Sequence, residues 1–474
     1  MRLSELISGT GGQAHNFQDI DVRGLEFDSR KVTAGKVFIA LTGEKYDGHD
    51  FIPAAIKQGA AALVTGRKVE TDLPQVVYAD TRIAMGRLAR NFFGGFNDIQ
   101  KVGITGTNGK TTTAFLIHSI SRTAGRNPGL IGTIYYMGRE RVKAARTTPE
   151  SLDLFKLFHR FHEEGSHDVI MEVSSHALAL KRVDQIRFQV ALFTNLSQDH
   201  LDFHKNMEDY KKAKFHLFSL LEPEAWVVYN ADDPAGAELR TRSFKKQIPF
   251  SMLASGPYSA RVREHGLDGL KLDITGPDQV YRVRSRLVGE YNGYNILAAF
   301  CGGMALEIDA ETVVRGIENM ESIRGRLESA APNVFVDFAH TPRALERVLG
   351  TLRIYTRGRI IAVFGCGGDR DPGKRPLMGQ AVSRYADYSY VTSDNPRSES
   401  PGAIIRDIEA GMETGRYRVI EDRREAIAEA LKTRGQEDIL IVLGKGHEEE
   451  QILRDRTIEF DDVKVVRELI GIIK

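Results

Sequence analysis

Cysteine is nearly absent from the 474-residue chain: Cys301 and Cys366 are its two thiols, which excludes a disulfide framework and a metal site built from cysteine alone. A reducing cytoplasm is the expected compartment. Excess charge of either sign is missing as well, since 65 Lys+Arg stand against 64 Asp+Glu for a net charge of +1. No broad field therefore recruits nucleic acid or an anionic membrane surface. No apolar run approaches the roughly 18 residues of a membrane span, and the N-terminal MRLSELISGTGGQ lacks the roughly 7–15-residue apolar core of a secretion signal. Neither a nucleic-acid partner nor a membrane span is expected.

Hydrophobic residues make up 42 % of the chain and are spread along it, and at roughly 150 residues per domain the length predicts about three domains. From Phe27 to Ala79 short apolar runs alternate with Gly- and Asp-rich turns, and a helical pattern over Arg82–Phe93 closes a small α/β domain, residues 1–98. A strand at Val102–Thr105, a glycine-rich turn and a helix from about Thr111 open a central α/β domain of the phosphate-loop ATPase type, residues 99–327. From Val334 onward strands and helices alternate regularly, which predicts a doubly wound, Rossmann-like C-terminal domain, residues 328–474. In such sheets ligands meet the loops at the carboxyl ends of strands, and those loops are chemically loaded: AHTP, GCGGDRD, SDNPR and GKGHE.

The turn Gly103–Thr112, GITGTNGKTT, lies where backbone N–H groups and a helix N-terminus can cradle phosphates. Lys110 would reach the β- and γ-phosphates and Thr111 would offer a hydroxyl to Mg²⁺. The usual pattern places its first glycine where this chain has Ile104; the glycines stand at Gly103 and Gly106 instead. GTP specificity lacks support, because Asn195-Leu-Ser-Gln-Asp199 has no lysine for base reading. The apolar run Asp168–Glu172 could deliver a second carboxylate near Mg²⁺, or be an ordinary buried strand ending in a solvated Glu. His200 and His204, four apart, could form a metal pair on one helical face or be structural, and the absence of a following Glu rules out a zinc-protease motif. Tyr210–Phe218 reads as a lysine-rich amphipathic helix.

GTNGKTT, MEVSSHAL, TNLSQDHLDFH, YKKAKFHLF, GEYNGYNILAA, GRLE and VDFAHTP together resemble the Mur ligases, ATP-dependent amide-forming enzymes of peptidoglycan precursor synthesis, end to end and in family order. The segment FDSRKVTAGKVFIALTGEKYDGHDFI with DNPR and GKGHE is most similar to the branch that adds 2,6-diaminopimelate. The resemblance implies ATP and Mg²⁺ as cofactors and a cytoplasmic role in cell wall biogenesis, and so in cell shape and division. It also implies a nucleotide-sugar peptide substrate, UDP-N-acetylmuramoyl-L-alanyl-D-glutamate. ATP contacts fall on Gly106, Thr107, Asn108, Gly109, Lys110, Thr111, Thr112, Asn292, Asn295, Arg326 and Asp337. The resemblance places metal ligands at Thr111 for a first Mg²⁺ and at Glu172 and His200 for a second, with Lys214 also among them as a match to a family lysine that becomes carbamoylated to N6-carboxylysine. Lys110, Glu172, His200 and Lys214 are thus the expected catalytic set. The sugar peptide would meet Asp28, Ser29, Arg30, Thr42 and Gly43 of the first domain, and Thr147, Thr148, Ser174 and Arg182 of the second.

For the incoming amino acid the resemblance points to Arg370, Asp394, Asn395, Arg397, Gly444 and Glu448. The chemistry agrees: meso-diaminopimelate differs from lysine by a carboxylate at the far end of its side chain, and a guanidinium fork such as Arg397 binds a carboxylate bidentately. Glu448 suits the neighbouring ammonium. Ser393, Glu450 and Arg343 depart from the family pattern, where an acid, a tyrosine and an acid are usual. Rival readings are the same ligation with L-lysine, a folylpolyglutamate-synthase-like ligase, and a phosphate-loop ATPase acting as a switch on a protein partner. A monomer is expected.

Overall fold

The computed structural model describes residues 1–43 and 46–471. Glu44 and Lys45 of the long first-domain motif, and residues 472–474, lie outside the described residues. The chain divides into two compact units, Met1–Ser259 with Thr275–Gln279 and Tyr294–Ile317, and Ala260–Ile274 with Val280–Gly293 and Glu318–Lys474.

The first unit carries two sheets. The N-terminal one runs in the order Gln13–His15, Gln75–Val77, Ala62–Thr65, Lys36–Ile39, Gly24–Glu26, parallel except for its first pair. Helix Thr81–Phe93 covers it. The Asp80 carboxylate accepts from the Arg82 and Ile83 N–H groups at its start, and Ala84, Met85, Leu88 and Ala89 form its buried face. In the central sheet the strands Gly129–Ile131, Asp168–Glu172, Gln100–Thr105, Phe188–Phe193, Leu221–Asn230 and Lys246–Ser251 are neighbours in that order and all parallel. An antiparallel hairpin, Tyr135–Met137 and Arg141–Lys143, extends the Gly129 edge. Parallel strands covered on both faces read as unbroken apolar runs, as in VGIT and DVIME, all buried after Gln100. Helix Ser151–Glu163 buries Leu152, Phe155, Phe158 and Phe161 against helix Thr81–Phe93, so both sheets share one apolar cluster.

In the second unit the main sheet runs Glu328–Ala331, Val334–Asp337, Ile439–Leu443, Ile360–Phe364, Tyr388–Val391, Tyr417–Val419, parallel after an antiparallel first pair. Alternate residues of one strand feed opposite cores. Ile360, Ala362 and Phe364 pack with helices Pro342–Tyr355, Lys374–Tyr385 and Pro401–Glu409, while Ile361 and Val363 pack with Arg423–Thr433 and Asp462–Leu469. This is the expected doubly wound arrangement. Strand Ile439–Leu443 inserts between Val334–Asp337 and Ile360–Phe364, creating a switch point at whose carboxyl edge AHTP, GCGGDRD, SDNPR and GKGHE converge. The three α/β domains foreseen from the alternation of strands and helices are present. Strands Tyr258–Gly266, Gly269–Thr275 and Val280–Ser285, neighbours in that order, were not foreseen. Among the described residues no helix is long and apolar enough to cross a membrane.

Candidate functional site

Strand Gln100–Thr105 delivers the chain into a turn that bends through positive φ at Gly106 and Gly109, before helix Lys110–Thr123. A Cβ at Gly106 would collide with the Thr194 hydroxyl, and one at Gly109 with the Asn295 side-chain amide, so the closeness of Thr194 and Asn295 requires glycine at both places. The segment following strand Phe188–Phe193 braces the turn. The Thr107 N–H donates to Asn195 O at 2.8 Å, the Asn108 N–H to Asn195 Oδ1 at 3.0 Å, and the Thr194 hydroxyl to Asn108 O at 2.7 Å. Lys110 Nζ folds back on its own loop, donating to Gly106 O at 2.9 Å and Thr107 O at 3.0 Å. Thr111 and Thr112 are buried at the helix start.

Lys214, on helix Met207–Phe215, donates to the same Gly106 carbonyl at 2.6 Å and sits 4.4 Å from the centroid of the Tyr210 ring. It is 1 % exposed, and burial, reinforced by the nearby Lys110 ammonium, pushes its pKa well below that of an ordinary lysine. The shift favours the unprotonated amine, which is the form that can add CO₂. Glu172 ends strand Asp168–Glu172. Its Oε2 accepts from the Thr111 hydroxyl at 2.9 Å and the Thr133 hydroxyl at 3.0 Å, and its Oε1 from the Thr133 N–H at 2.8 Å. Thr111 and Glu172 present hard oxygens of the kind Mg²⁺ takes, so the residue types fit that ion. Among the described residues no group of three or more His, Cys, Asp or Glu forms a metal cluster.

The helical-face alternative for His200 and His204 is not realised. Asp199–His204 is a turn, with His200 at φ +52° and its carbonyl accepting the His204 N–H at 2.9 Å. The His200 and His176 rings meet edge to face at 4.9 Å, and His204 Nε2 pairs with the Ser175 hydroxyl at 3.0 Å. Burial lowers the pKa of His200, aided by Lys110 and Lys214, which leaves the imidazole neutral with a lone pair available.

Four residues expected for the sugar peptide gather beside Glu172. The Thr148 hydroxyl donates to Glu172 O at 2.8 Å and accepts the Ser174 N–H at 3.1 Å; Arg182 Nη1 donates to Thr148 O at 3.1 Å, and the Thr147 hydroxyl lies 3.2 Å from that of Thr133. The sequence reading missed Glu150. This buried carboxylate holds Arg182 at 3.0 Å, Arg146 at 3.1 Å and, from helix Thr81–Phe93, Arg82 at 2.5 Å. Three guanidiniums on one carboxylate leave a local positive excess suited to an anionic ligand. In the first domain Arg30 forks onto Asp28 with two 2.9 Å bonds beside Ser29. Thr42 and Gly43 occupy a separate turn, where the Thr42 hydroxyl approaches Asp47 at 3.5 Å and the Gly43 N–H donates to Tyr46 O at 2.9 Å.

In the second unit Asp337 ends strand Val334–Asp337 and accepts the Leu327 N–H at 2.7 Å and the Ala339 N–H at 2.8 Å. Burial raises its pKa against the pull of Arg326. Arg326 lies over the Phe338 ring at 5.5 Å, and the Asn292 amide donates to Val288 O at 2.8 Å. All six residues expected for the amino acid, Arg370, Asp394, Asn395, Arg397, Gly444 and Glu448, line one cavity of about 270 Å³ at the switch point, joined by Cys366 and His340. Arg397 holds a left-handed backbone, φ +53°, and its Nη1 is anchored on Gly368 O at 2.7 Å. Asn395 Nδ2 donates to Glu448 Oε2 at 2.7 Å. Gly444, φ +108°, lies so close that a Cβ would press on Asp394 Oδ2.

Three family models cover most of the chain: "Mur ligase family, catalytic domain" at 21–93, "Mur ligase middle domain" at 104–303 and "Mur ligase, glutamate ligase domain" at 320–446. A curated relative from Bacillus velezensis, "UDP-N-acetylmuramoyl-L-alanyl-D-glutamate--2,6-diaminopimelate ligase", is 40 % identical over 98 % of this chain and 98 % of its own. A solved structure of a protein of that name matches with a TM-score of 0.69 and 31 % identity, covering 100 % of this chain and 99 % of the other. MurF ligase from Thermotoga maritima, solved with ADP, shares the fold at a TM-score of 0.64 and 20 % identity, covering 96 % of this chain and 98 % of its own.

Proposed function

The chain belongs to the Mur ligase family, and from that premise we propose that it joins meso-2,6-diaminopimelate to the D-glutamate of UDP-N-acetylmuramoyl-L-alanyl-D-glutamate, with ATP going to ADP and phosphate. The reading is of a cytoplasmic, monomeric enzyme of cell wall precursor synthesis. The γ-phosphoryl group passes to an oxygen of the free D-glutamate carboxylate, breaking its bond to the β-phosphate oxygen and forming an acyl phosphate. The amine of diaminopimelate then attacks the acyl carbon. A C–N bond forms, phosphate leaves with the electrons of the C–O bond, and the amine gives up its proton. Activation is needed because a carboxylate is a poor electrophile.

Lys110 would exchange its loop carbonyls for phosphate oxygens, and the N–H groups at the start of helix Lys110–Thr123 would receive the rest of the triphosphate, since those of Thr107 and Asn108 are held by Asn195. Thr147, Thr148, Ser174 and Arg182 would position the peptide carboxylate, with Asp28, Ser29, Arg30, Thr42 and Gly43 on the nucleotide sugar. By the family resemblance Asn292, Asn295, Arg326 and Asp337 would contribute further nucleotide contacts. Thr111, Glu172, His200 and Lys214 would hold Mg²⁺, which when bound neutralises charge between phosphate and carboxylate. In Lys214 the unprotonated amine adds to CO₂, an N–C bond forms, a proton leaves, and the ammonium that would repel a cation is replaced by an anionic oxygen donor.

The observation that carries the choice of amino acid is the pairing, in one cavity, of the Arg397 guanidinium with the Asn395–Glu448 couple. A carboxylate and an ammonium on one carbon fit that pairing, and the far end of lysine offers only the ammonium. Ligation with meso-diaminopimelate and with L-lysine, by the parent and by Arg397→Ala, tests it. The parent is expected to prefer diaminopimelate, and the variant to lose about a hundredfold in kcat/KM for it through KM, as removal of a bidentate charged contact implies. A parent preferring lysine would sink the reading.

A further inference from the structure

The GKGHE loop buries a cation outside the residues expected to touch the amino acid. Lys445 is 0 % exposed, and its Nζ donates to Asn395 Oδ1 at 3.1 Å, Glu448 Oε2 at 3.2 Å and Glu450 O at 2.6 Å. Asn395 Oδ1 also accepts the Ile452 N–H at 2.9 Å. Two donors on that oxygen settle which way the amide faces, so Nδ2 is turned to Glu448 Oε2. Glu448 Oε2 therefore already takes two donors, and Oε1 is the oxygen left for a ligand's ammonium. Asp394, buried at the same end of the cavity, is a second carboxylate there. Burial raises its pKa, and Lys445 is the foremost charge acting the other way.

We propose that Lys445 is a specificity-determining residue, whose buried positive charge offsets Glu448 and Asp394 so that the cavity favours a side-chain end bearing both ammonium and carboxylate over one bearing ammonium alone. Its role deepens the diaminopimelate reading above and rests on it. The argument is one of difference. Whatever the remaining charges sum to, a buried cation a few ångströms from the ligand repels the ammonium end of lysine, whereas the zwitterionic end of diaminopimelate feels two opposed terms that largely cancel. A lysine that merely supported the fold would, on removal, lower both substrates together.

The test uses the full-length enzyme, with kcat/KM for meso-diaminopimelate and for L-lysine at saturating ATP and UDP-sugar dipeptide. Lys445→Met is expected to lower the diaminopimelate-to-lysine ratio about tenfold or more, with the KM values for ATP and dipeptide unchanged. Lys445→Gln, which keeps hydrogen-bonding capacity without the charge, is expected to do the same and stands in if the Met variant does not fold. Lys445→Arg keeps the charge and should keep the parent's ratio. An unchanged ratio in a folded neutral variant, or an Arg variant shifted as far as the neutral ones, overturns the proposal while leaving the diaminopimelate reading intact. A parent that prefers lysine overturns both.

Discussion

Buried lysines divide the molecule into two kinds of region. In the first unit, Lys214 and Lys101 are nearly inaccessible and donate to backbone carbonyls: Lys214 to Gly106 O, Lys101 to Phe96 O and Ile99 O. Neither has a carboxylate within salt-bridge distance among the described residues, and burial lowers the pKa of both. In the second unit, Lys445 is just as buried but lies 3.2 Å from the Glu448 carboxylate. The contrast teaches what each site waits for. Around the phosphate loop, Lys110 and Lys214 share one carbonyl, an arrangement that the proposed anion or covalent change would complete. The candidate amino-acid cavity is already cross-bonded through Lys445, Asn395 and Glu448, as a site that selects by fixed geometry and charge balance would be.

The largest effect expected from breaking this contrast is at Lys214. Lys214→Ala removes the side chain that would carry the carbamate and should lower ligation about a thousandfold, the scale of losing a preorganised charged group at the reacting centre. Added short carboxylates should restore part of the rate. Recovery absent at every concentration, with the fold intact by circular dichroism, would count against the carbamate. A smaller effect is expected at Glu150, where three guanidiniums depend on one buried carboxylate. Glu150→Gln leaves Arg82, Arg146 and Arg182 uncompensated, so Arg182 should lose its set position and the KM for the UDP-sugar dipeptide should rise about tenfold. The KM for diaminopimelate should not move. Equal rises in both would show general loosening and remove Glu150 from the positioning role.

Local order was legible because it depends on neighbouring residues. A strand, a glycine turn and a helix at Gln100–Thr123, and the alternation from Val334 to Leu443, follow from apolar runs and periodicity within a few residues of the observed limits. Other local signals are present as well. Val280–Ser285 alternates exposed and buried positions as an amphipathic strand should, and SLDLFKLFHRFHE carries a helical stripe. What no local pattern could convey is partnership at a distance. Arg82 finds Glu150 across 68 residues, and Lys445 finds Asn395 across 50. His200 and His204 had helical spacing, but a left-handed residue at His200 turns the chain instead. The motif residues were therefore visible in sequence, whereas the long-range ion pairs and hydrogen bonds that hold them in place were not.

The smallest effect on catalysis, and the clearest on stability, is expected at Lys101, which lies outside every proposed contact. Burial lowers its pKa from 10.5 to about 8; Asp98 and Glu222 partly oppose the shift and Arg90 adds to it. Between those two values the unfolded chain holds a proton that the folded amine lacks, so stability contributed by this group rises with pH across that window. Below about pH 8 both forms are protonated and the burial penalty is constant. In Lys101→Met the titration is gone. Urea unfolding of parent and variant should therefore diverge in favour of the parent by up to about 3 kcal/mol between pH 8 and 10.5, with ligation kinetics alike. Parallel stability profiles would mean that Lys101 stays charged on its two carbonyls, and that a carboxylate is not what separates the two classes of buried lysine.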